Sequence, residues 1–224
     1  MKKVPCFILA RKNSKSVKGK NTVILKGIPL IMHTINYVKK SKSISDIVIS
    51  TDDPKVAKIA KKHRCFTIFP RPKKLSNDTA SAESALKHAI KIYEDKKVTV
   101  DILAYVQITE PFRPKGILDK CVNKLLKNKK IDSCFAAYSQ HKNFWIRKSN
   151  KLIRISSYTE RYKRRQTKRP ILREDTGIAL ATKARFLKSG ERLGKNVECI
   201  EYKDPRFNFD INTSDDLKFA RKQI

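Results

Sequence analysis

The chain of 224 residues carries 52 Lys and Arg against 21 Asp and Glu, a formal net charge of +31, and 40% of its residues are apolar. That apolar share excludes a disordered polyelectrolyte, while the charge selects an anionic partner: nucleic acid, an acidic membrane or a charged substrate. The apolar runs all fall well short of the ~20 residues a membrane-spanning helix needs, and the length suits one domain over 1–224.

In chain order, short apolar runs alternate with helical patterns. "VPCFILA" (4–10) is the first strand, followed at once by "RKNSKSVKGKN", which holds five positive charges and no acid. Arg11 ends the apolar stretch and no small-residue cleavage site follows, which argues against secretion. A helical pattern, "PLIMHTINYVKKS", leads to strand 46–51, helix 54–63, strand 65–69 and the helix "SAESALKHAIKIYEDK", with Ser81 as its N-cap. Strand 101–107, helix 114–128 and strand 132–138 follow. Glu110 is expected to serve as a capping partner ahead of helix 114–128. The β-branched and aromatic content of the strands reads as buried parallel sheet. The alternation predicts a doubly wound, mostly parallel α/β sheet with its ligand beyond the strand C-termini, where the basic loop 11–21 sits.

From about residue 140 the pattern changes. "FWIRKSNKLIRISS" reads as a hairpin turning at Ser149-Asn150, and "YTERYKRRQTKR" has no apolar face. Residues 140–172 are therefore expected to form an insertion. The chain then returns through strand 176–182, helix 183–190, strand "VECIEY" and a terminal helix from Thr213, with Thr213 as N-cap and Asp215 and Asp216 in its first turn. Five Cys, odd in number and scattered through apolar runs, read as free thiols of a reducing compartment, which places the protein in the cytoplasm.

Four separated stretches, "ILARKNSKSVKGKN", "VQITEPFRP", "RRQTKRPILREDTG" and "FDINTSDDLKFA", resemble in order and spacing the motifs of the acylneuraminate cytidylyltransferase family, the CMP-sialic acid synthetases. "ISTDDPKVAKIAKKH" and "RPKKLSNDTAS" fit the same family between the first two, so the likeness covers nearly the whole chain. It implies a Rossmann-like nucleotidyltransferase with a small β-hairpin dimerisation insertion. The implied reaction joins CTP to the anomeric hydroxyl of a nine-carbon keto sugar acid, releasing pyrophosphate, with Mg2+ as cofactor and a homodimer as the assembly.

The resemblance gives roles to particular residues. The loop after the first strand becomes a triphosphate cradle: Arg11 can hold phosphate oxygens bidentately, while Lys15, Lys18 and Lys20 are mobile point charges. Arg11, Lys20 and Asp210 are implied as the catalytic set. Asn21 is placed to bind phosphate or nucleotide, and its bland alternative is a turn residue. Arg71 belongs beside the cytosine, the alternative being a solvated Arg between two prolines. Gln107 is implied to bond the sugar, Arg165 to hold its carboxylate, and Lys142 to assist as a second cation. Asp210 and Asn212 stand where the family has Asp-Ile-Asp, whose carboxylates hold magnesium, so this chain offers one carboxylate and one amide.

The chain also departs from the family. Ser16 replaces a Gly, Thr109-Glu110 mixes the patterns of the sialic acid and Kdo enzymes, and Ala179 replaces a sugar-facing Tyr. The sugar is therefore expected to be a nonulosonic acid with its own substituents. Two other functions suit parts of the sequence. A sugar-nucleotide glycosyltransferase would share the alternation but commonly carries an Asp-x-Asp motif, absent here. A basic nucleic-acid-binding module would explain the charge but leave "VQITEP" and "FDINTSDDL" unaccounted for, so no nucleic-acid partner is expected.

Overall fold

A computed structural model of the protein describes residues 4–14, 16–155, 163–164 and 166–222. The first strand, β1 (Val4–Ala10), leads through the basic loop to a small hairpin, β2 (Ile24–Leu25) and β3 (Ile28–Pro29), then to α1 (Leu30–Lys39) and β4 (Ile44–Thr51). Next come α2 (Pro54–Lys62), β5 (Phe66–Ile68), α3 (Ala82–Lys96), β6 (Ile102–Tyr105), α4 (Ile117–Lys127) and β7 (Ser133–Gln140). After a second hairpin, β8 (Trp145–Lys148) and β9 (Lys151–Arg154), the chain closes with β10 (Ile171–Lys183), α5 (Ala184–Ser189), β11 (Val197–Tyr202) and α6 (Ser214–Lys222).

Seven strands form one sheet in the order β11-β7-β10-β6-β1-β4-β5. β1 pairs in parallel with β4 and with β6, β4 with β5, and β11 with β7, while β10 runs antiparallel between β6 and β7. Alternation along β1 explains the two layers. Cys6, Ile8 and Ala10 join a core with α1, α4 and α6, whereas Phe7 joins the opposite core under α3 and α5. There the Tyr93 ring meets Phe7 and Phe66 edge to face at 5.9 and 5.1 Å, and its hydroxyl donates to Asp46 at 2.8 Å.

Three helix starts follow their sequence chemistry. Asp53 accepts from the Lys55 amide at 2.8 Å with Pro54 at the first helical position, and Ser81 accepts from Ser84 at 3.1 Å. Before α6, Thr213 and Asp216 cap each other's backbone: Thr213 Oγ1 accepts from the Asp216 amide at 3.2 Å and Asp216 accepts from the Thr213 amide at 2.7 Å.

Two expectations fail here. The predicted helix 114–128 begins only at Ile117, behind Gly116 at φ 73°, because Pro111 and Pro114 hold the preceding segment out of helical conformation. Glu110 is consequently not a cap; it is buried beneath the sheet end. The predicted strand 176–182 is longer, reaching back to Ile171, with its register against β7 shifting between Asp175 and Leu180.

The chain leaves the sheet after Gln140 and rejoins it at Ile171. Between them β8 and β9 make a separate two-stranded sheet turning at Ser149 (φ 51°) and Asn150, and Trp145, Ile146, Leu152 and Ile153 are exposed.

Candidate active site

β1 lies where the strand order reverses, with β4 on one side and β6 on the other, so the ends of β1 and β6 open a crevice. Arg11 is the first residue past β1. Val17 turns into the core, which sends its neighbours Ser16 and Lys18 outward. Gly19 adopts φ 64° and starts the 3-10 turn Lys20–Thr22, bringing Lys20 and Asn21 back to the crevice. Asn21 is buried and donates from Nδ2 to the Arg11 carbonyl at 2.8 Å, holding the loop closed.

The crevice is a cavity of about 410 Å3 whose lining includes Leu9, Arg11, Lys20, Asn21, Arg71, Leu75, Ala82, Ala85, Tyr105, Gln107, Thr109 and Asn212. One wall is apolar and aromatic, and the rim is cationic, which suits a base at one end and anionic groups at the other.

Each cation here already has acceptors. Arg11 donates to Asp78 Oδ1 at 2.8 Å and to the Asn77 carbonyl at 3.2 Å. With both side chains about two-fifths exposed (40% and 44%), that ion pair is a weak one that an incoming phosphate can replace. Lys20 Nζ donates to the carbonyls of Ile211 at 3.0 Å and Asn212 at 3.2 Å, tying the first loop to the last. Burial lowers the Lys20 pKa, against the opposing pull of Asp210. Arg71 is buried, donating from Nε to Ser76 Oγ at 3.1 Å and lying 3.7 Å from Asp52, which also accepts from the Lys12 amide at 2.8 Å. Its pKa is lowered by burial, partly offset by Asp52. The alternative of a solvated Arg71 is thereby excluded.

Below the cavity, Arg113 organises the end of β6. It is buried and donates to the carbonyls of Ile178 at 3.0 Å, Gly177 at 3.3 Å and Gln107, and to Thr34 Oγ1 at 3.3 Å. The Gln107 amide in turn donates to the Gly177 carbonyl at 2.8 Å. A Cβ on Gly177 would stand 1.6 Å from Glu110 Oε2, so only Gly leaves room for that carboxyl. Glu110 Oε2 has no hydrogen-bond partner among the described residues, and burial pushes the Glu110 pKa up to about 8.

Of the sequence-predicted site residues, Arg11, Lys20, Asn21, Arg71, Gln107 and Asn212 line this one cavity. Lys18 does not: it is exposed and off the lining, displaced by the inward turn of Val17. Asp210 is exposed at the rim and accepts from Asn212 Nδ2 at 2.7 Å. Lys142 lies in a different cavity, at the end of β7. Lys15 and Arg165 fall outside the described residues. Sequence reasoning missed Asp78, Tyr105 and Arg113. The acid within "SNDTAS" was a signal for the first, since a cationic loop without its own carboxylates must find them elsewhere; nothing local marks Arg113 as a buried anchor.

A family model described as cytidylyltransferase matches residues 6–214. The chain belongs to the cytidylyltransferase family. Among its relatives, the pseudaminic acid cytidylyltransferase of Campylobacter jejuni is 27% identical over 220 residues, 96% of this chain and 94% of that protein. The CMP-N,N'-diacetyllegionaminic acid synthase of Legionella pneumophila is 32% identical over 111 residues, 50% of this chain and 48% of that one. A solved CMP:2-keto-3-deoxy-manno-octonic acid synthetase complexed with CTP superposes with a TM-score of 0.70 at 16% identity, covering 98% of this chain and 97% of that one, which shows a shared fold.

The motif resemblance implies a divalent metal, and the rim residues can be tested for it. No group of three or more His, Cys, Asp or Glu among the described residues could hold an ion by itself. One exposed carboxylate with an amide beside it fits magnesium only as an ion that arrives with nucleotide phosphates, since magnesium is usually held by one or two carboxylates plus those phosphates.

Proposed function

We propose that the protein transfers a cytidylyl group from CTP to the anomeric hydroxyl of a nonulosonic acid. An oxygen–phosphorus bond forms at the α-phosphorus, the bond to the β-phosphate oxygen breaks, the hydroxyl proton passes to solvent, and pyrophosphate leaves. What carries this reading is the cavity at the strand-order reversal, ringed by Arg11, Lys20 and Arg71, in a chain of the cytidylyltransferase family.

In this reading the apolar wall receives cytosine, with Arg71 reading its carbonyl. Arg11 exchanges Asp78 for phosphate oxygens, and Lys20 follows the departing pyrophosphate. Gln107 bonds the sugar, and Arg165 clamps its carboxylate. Magnesium would be held by Asp210, with Asn212 beside it, and would supply charge neutralisation on the phosphates.

The test is pyrophosphate release with CTP, magnesium and a panel of pseudaminate, legionaminate, N-acetylneuraminate and Kdo. CTP should be strongly preferred over ATP and GTP, with pseudaminate the first candidate because relatives matching over nearly their full length bear that name. Equal turnover with a purine triphosphate would sink the cytidine assignment.

We further propose a homodimer through the hairpin, whose exposed Trp145, Ile146, Leu152 and Ile153 have no partner in the main sheet. Sedimentation showing a monomer at micromolar protein would defeat this. The free state of all five cysteines supports a cytoplasmic setting, where thiols stay reduced.

A further inference from the structure

The cationic loop after β1 and the segment after β5 that carries Arg71 form two sides of the first cavity, and both are tied to the end of β4. Thr51 Oγ1 donates to the Ala10 carbonyl at 2.6 Å, and the Thr51 carbonyl accepts from the Arg71 amide at 2.8 Å. Asp53 turns away to cap α2 through the Lys55 amide. Between them, Asp52 serves both sides of the cavity with a single carboxylate oxygen. Its Oδ1 accepts from the Lys12 amide at 2.8 Å and lies 3.7 Å from Arg71 Nη2. Asp52 is off the cavity lining, whereas Arg71 and Arg11, the residue before Lys12, are on it.

The Arg71 side chain is 3% exposed, and a guanidinium that dry needs a counter-charge. Ser76 supplies only a neutral hydroxyl at Nε, and the charge of Arg11 opposes that of Arg71. Asp52 is therefore what lets two cations face one cavity. With Nε bonded to Ser76 and Nη2 drawn toward Asp52, two edges of the planar fork are set. Arg is a donor only. Cytosine offers it adjacent acceptors, O2 and N3, while uracil sets an N–H donor at N3, so a fork held in one orientation separates the two bases.

We propose that Asp52 is a positioning residue for this site, orienting Arg71 for base selection through its charge and holding the phosphate loop through its bond to the Lys12 amide. This deepens the transfer reading and rests on it for the identity of the nucleotide.

The two tasks ask different things of the carboxylate. The Lys12 amide needs an acceptor oxygen, which Asn also has; Arg71 needs a negative charge, which Asn lacks. The experiment is calorimetric titration of the full chain with CTP, UTP and inorganic tripolyphosphate, without magnesium or sugar so that no turnover occurs. In Asp52→Asn, CTP should weaken about tenfold, as for one charge-assisted contact, and its advantage over UTP should collapse. Tripolyphosphate affinity should be kept or rise, because a repelling charge has gone. Asp52→Ala, which also strips the acceptor from the Lys12 amide, should bind tripolyphosphate more weakly than Asp52→Asn does. Since removing Asp52 alone leaves Arg71 dry and unpaired, the cycle is closed with Arg71→Gln and the double variant, which removes both charges together. In the Arg71→Gln background, Asp52→Asn should cost no further preference for CTP. An unchanged preference in Asp52→Asn, a parallel loss of all three ligands, or a further loss in the Arg71→Gln background would overturn the role in base selection. Equal tripolyphosphate affinity in the Asn and Ala variants would overturn the role in holding the loop. A wild type that binds CTP and UTP alike would defeat the cytidine assignment itself, and the base-selection half of the proposal with it.

Discussion

The two cavities at the edge of the sheet treat buried charge in opposite ways. Around the first, Arg11, Lys20, Arg71 and Arg113 all donate to protein acceptors before any ligand arrives. Around the second, Lys168 is buried with a lone amide, and two neighbouring polar groups have no partner among the described residues. The difference teaches how each is prepared. Paired cations hold their geometry in the empty state and exchange one acceptor for another on binding, so ligand affinity is a difference between two satisfied states. Unpaired groups carry an unfavourable desolvation energy in the empty state.

The sharpest way to break this comparison is to remove a long cation from each region by the same substitution. Arg113→Met strips the hydrogen bonds from the carbonyls of Gln107, Gly177 and Ile178 and leaves them buried. Urea denaturation should show a loss of about 3 to 5 kcal/mol, the range for breaking buried charged contacts, whereas Lys168→Met should stabilise the ligand-free protein. A loss of the same sign at both sites would erase the distinction between them.

The contrast also shows which parts of the molecule sequence could disclose. Strands and helix caps were legible because their signals are local: alternation along "VPCFILA", or Ser81 and Thr213 ahead of apolar periodicity. The loop 11–21 announced itself through unopposed charge. Glu110 was misread as a cap because its environment is made by distant chain, with Gly177 supplying the space and Arg113 the neighbouring charge. Lys142 was grouped with Gln107 by the family likeness, and the sheet order separates their cavities by placing β10 between β6 and β7. Burial without a counter-charge among the described residues, the property that distinguishes Lys168, belongs to the folded arrangement alone.

A smaller effect sharpens the comparison from inside the first region, where Glu110 is the exception to full pairing. Its pKa rises from an ordinary 4.5 to about 8, chiefly through burial. The folded state therefore keeps a proton that the unfolded chain releases, so stability is fully present below about pH 4.5, falls as pH rises, and levels off past about pH 8. The expected loss across that window is on the order of 5 kcal/mol, at about 1.4 kcal/mol for each pH unit of difference. Urea midpoints taken between pH 5 and pH 8 in metal-free buffer should show this slope in the wild type and a much flatter one in Glu110→Gln. Identical slopes would assign the titration to another group.

The smallest effect is expected from adding a charge where the first region has the fewest acids free for a metal. Asp210 and Asn212 stand 2.7 Å apart through the amide nitrogen, and Lys20 is anchored on the Asn212 carbonyl. Asn212→Asp would set two carboxylates side by side. Without metal they repel, which disfavours ionisation of one of them; with magnesium and CTP present they share a cation that now gains a second charged ligand. The variant should keep its maximal rate within a few-fold and lower the magnesium needed for half-maximal pyrophosphate release several-fold, about 1 kcal/mol in metal affinity. Asp210→Ala provides the control: if Asp210 is the principal protein ligand, that variant stays folded and releases no pyrophosphate at any magnesium concentration. An unchanged magnesium requirement in Asn212→Asp, together with normal turnover in Asp210→Ala, would mean that the ion is held entirely by the nucleotide, leaving the rim with only the structural task of anchoring Lys20.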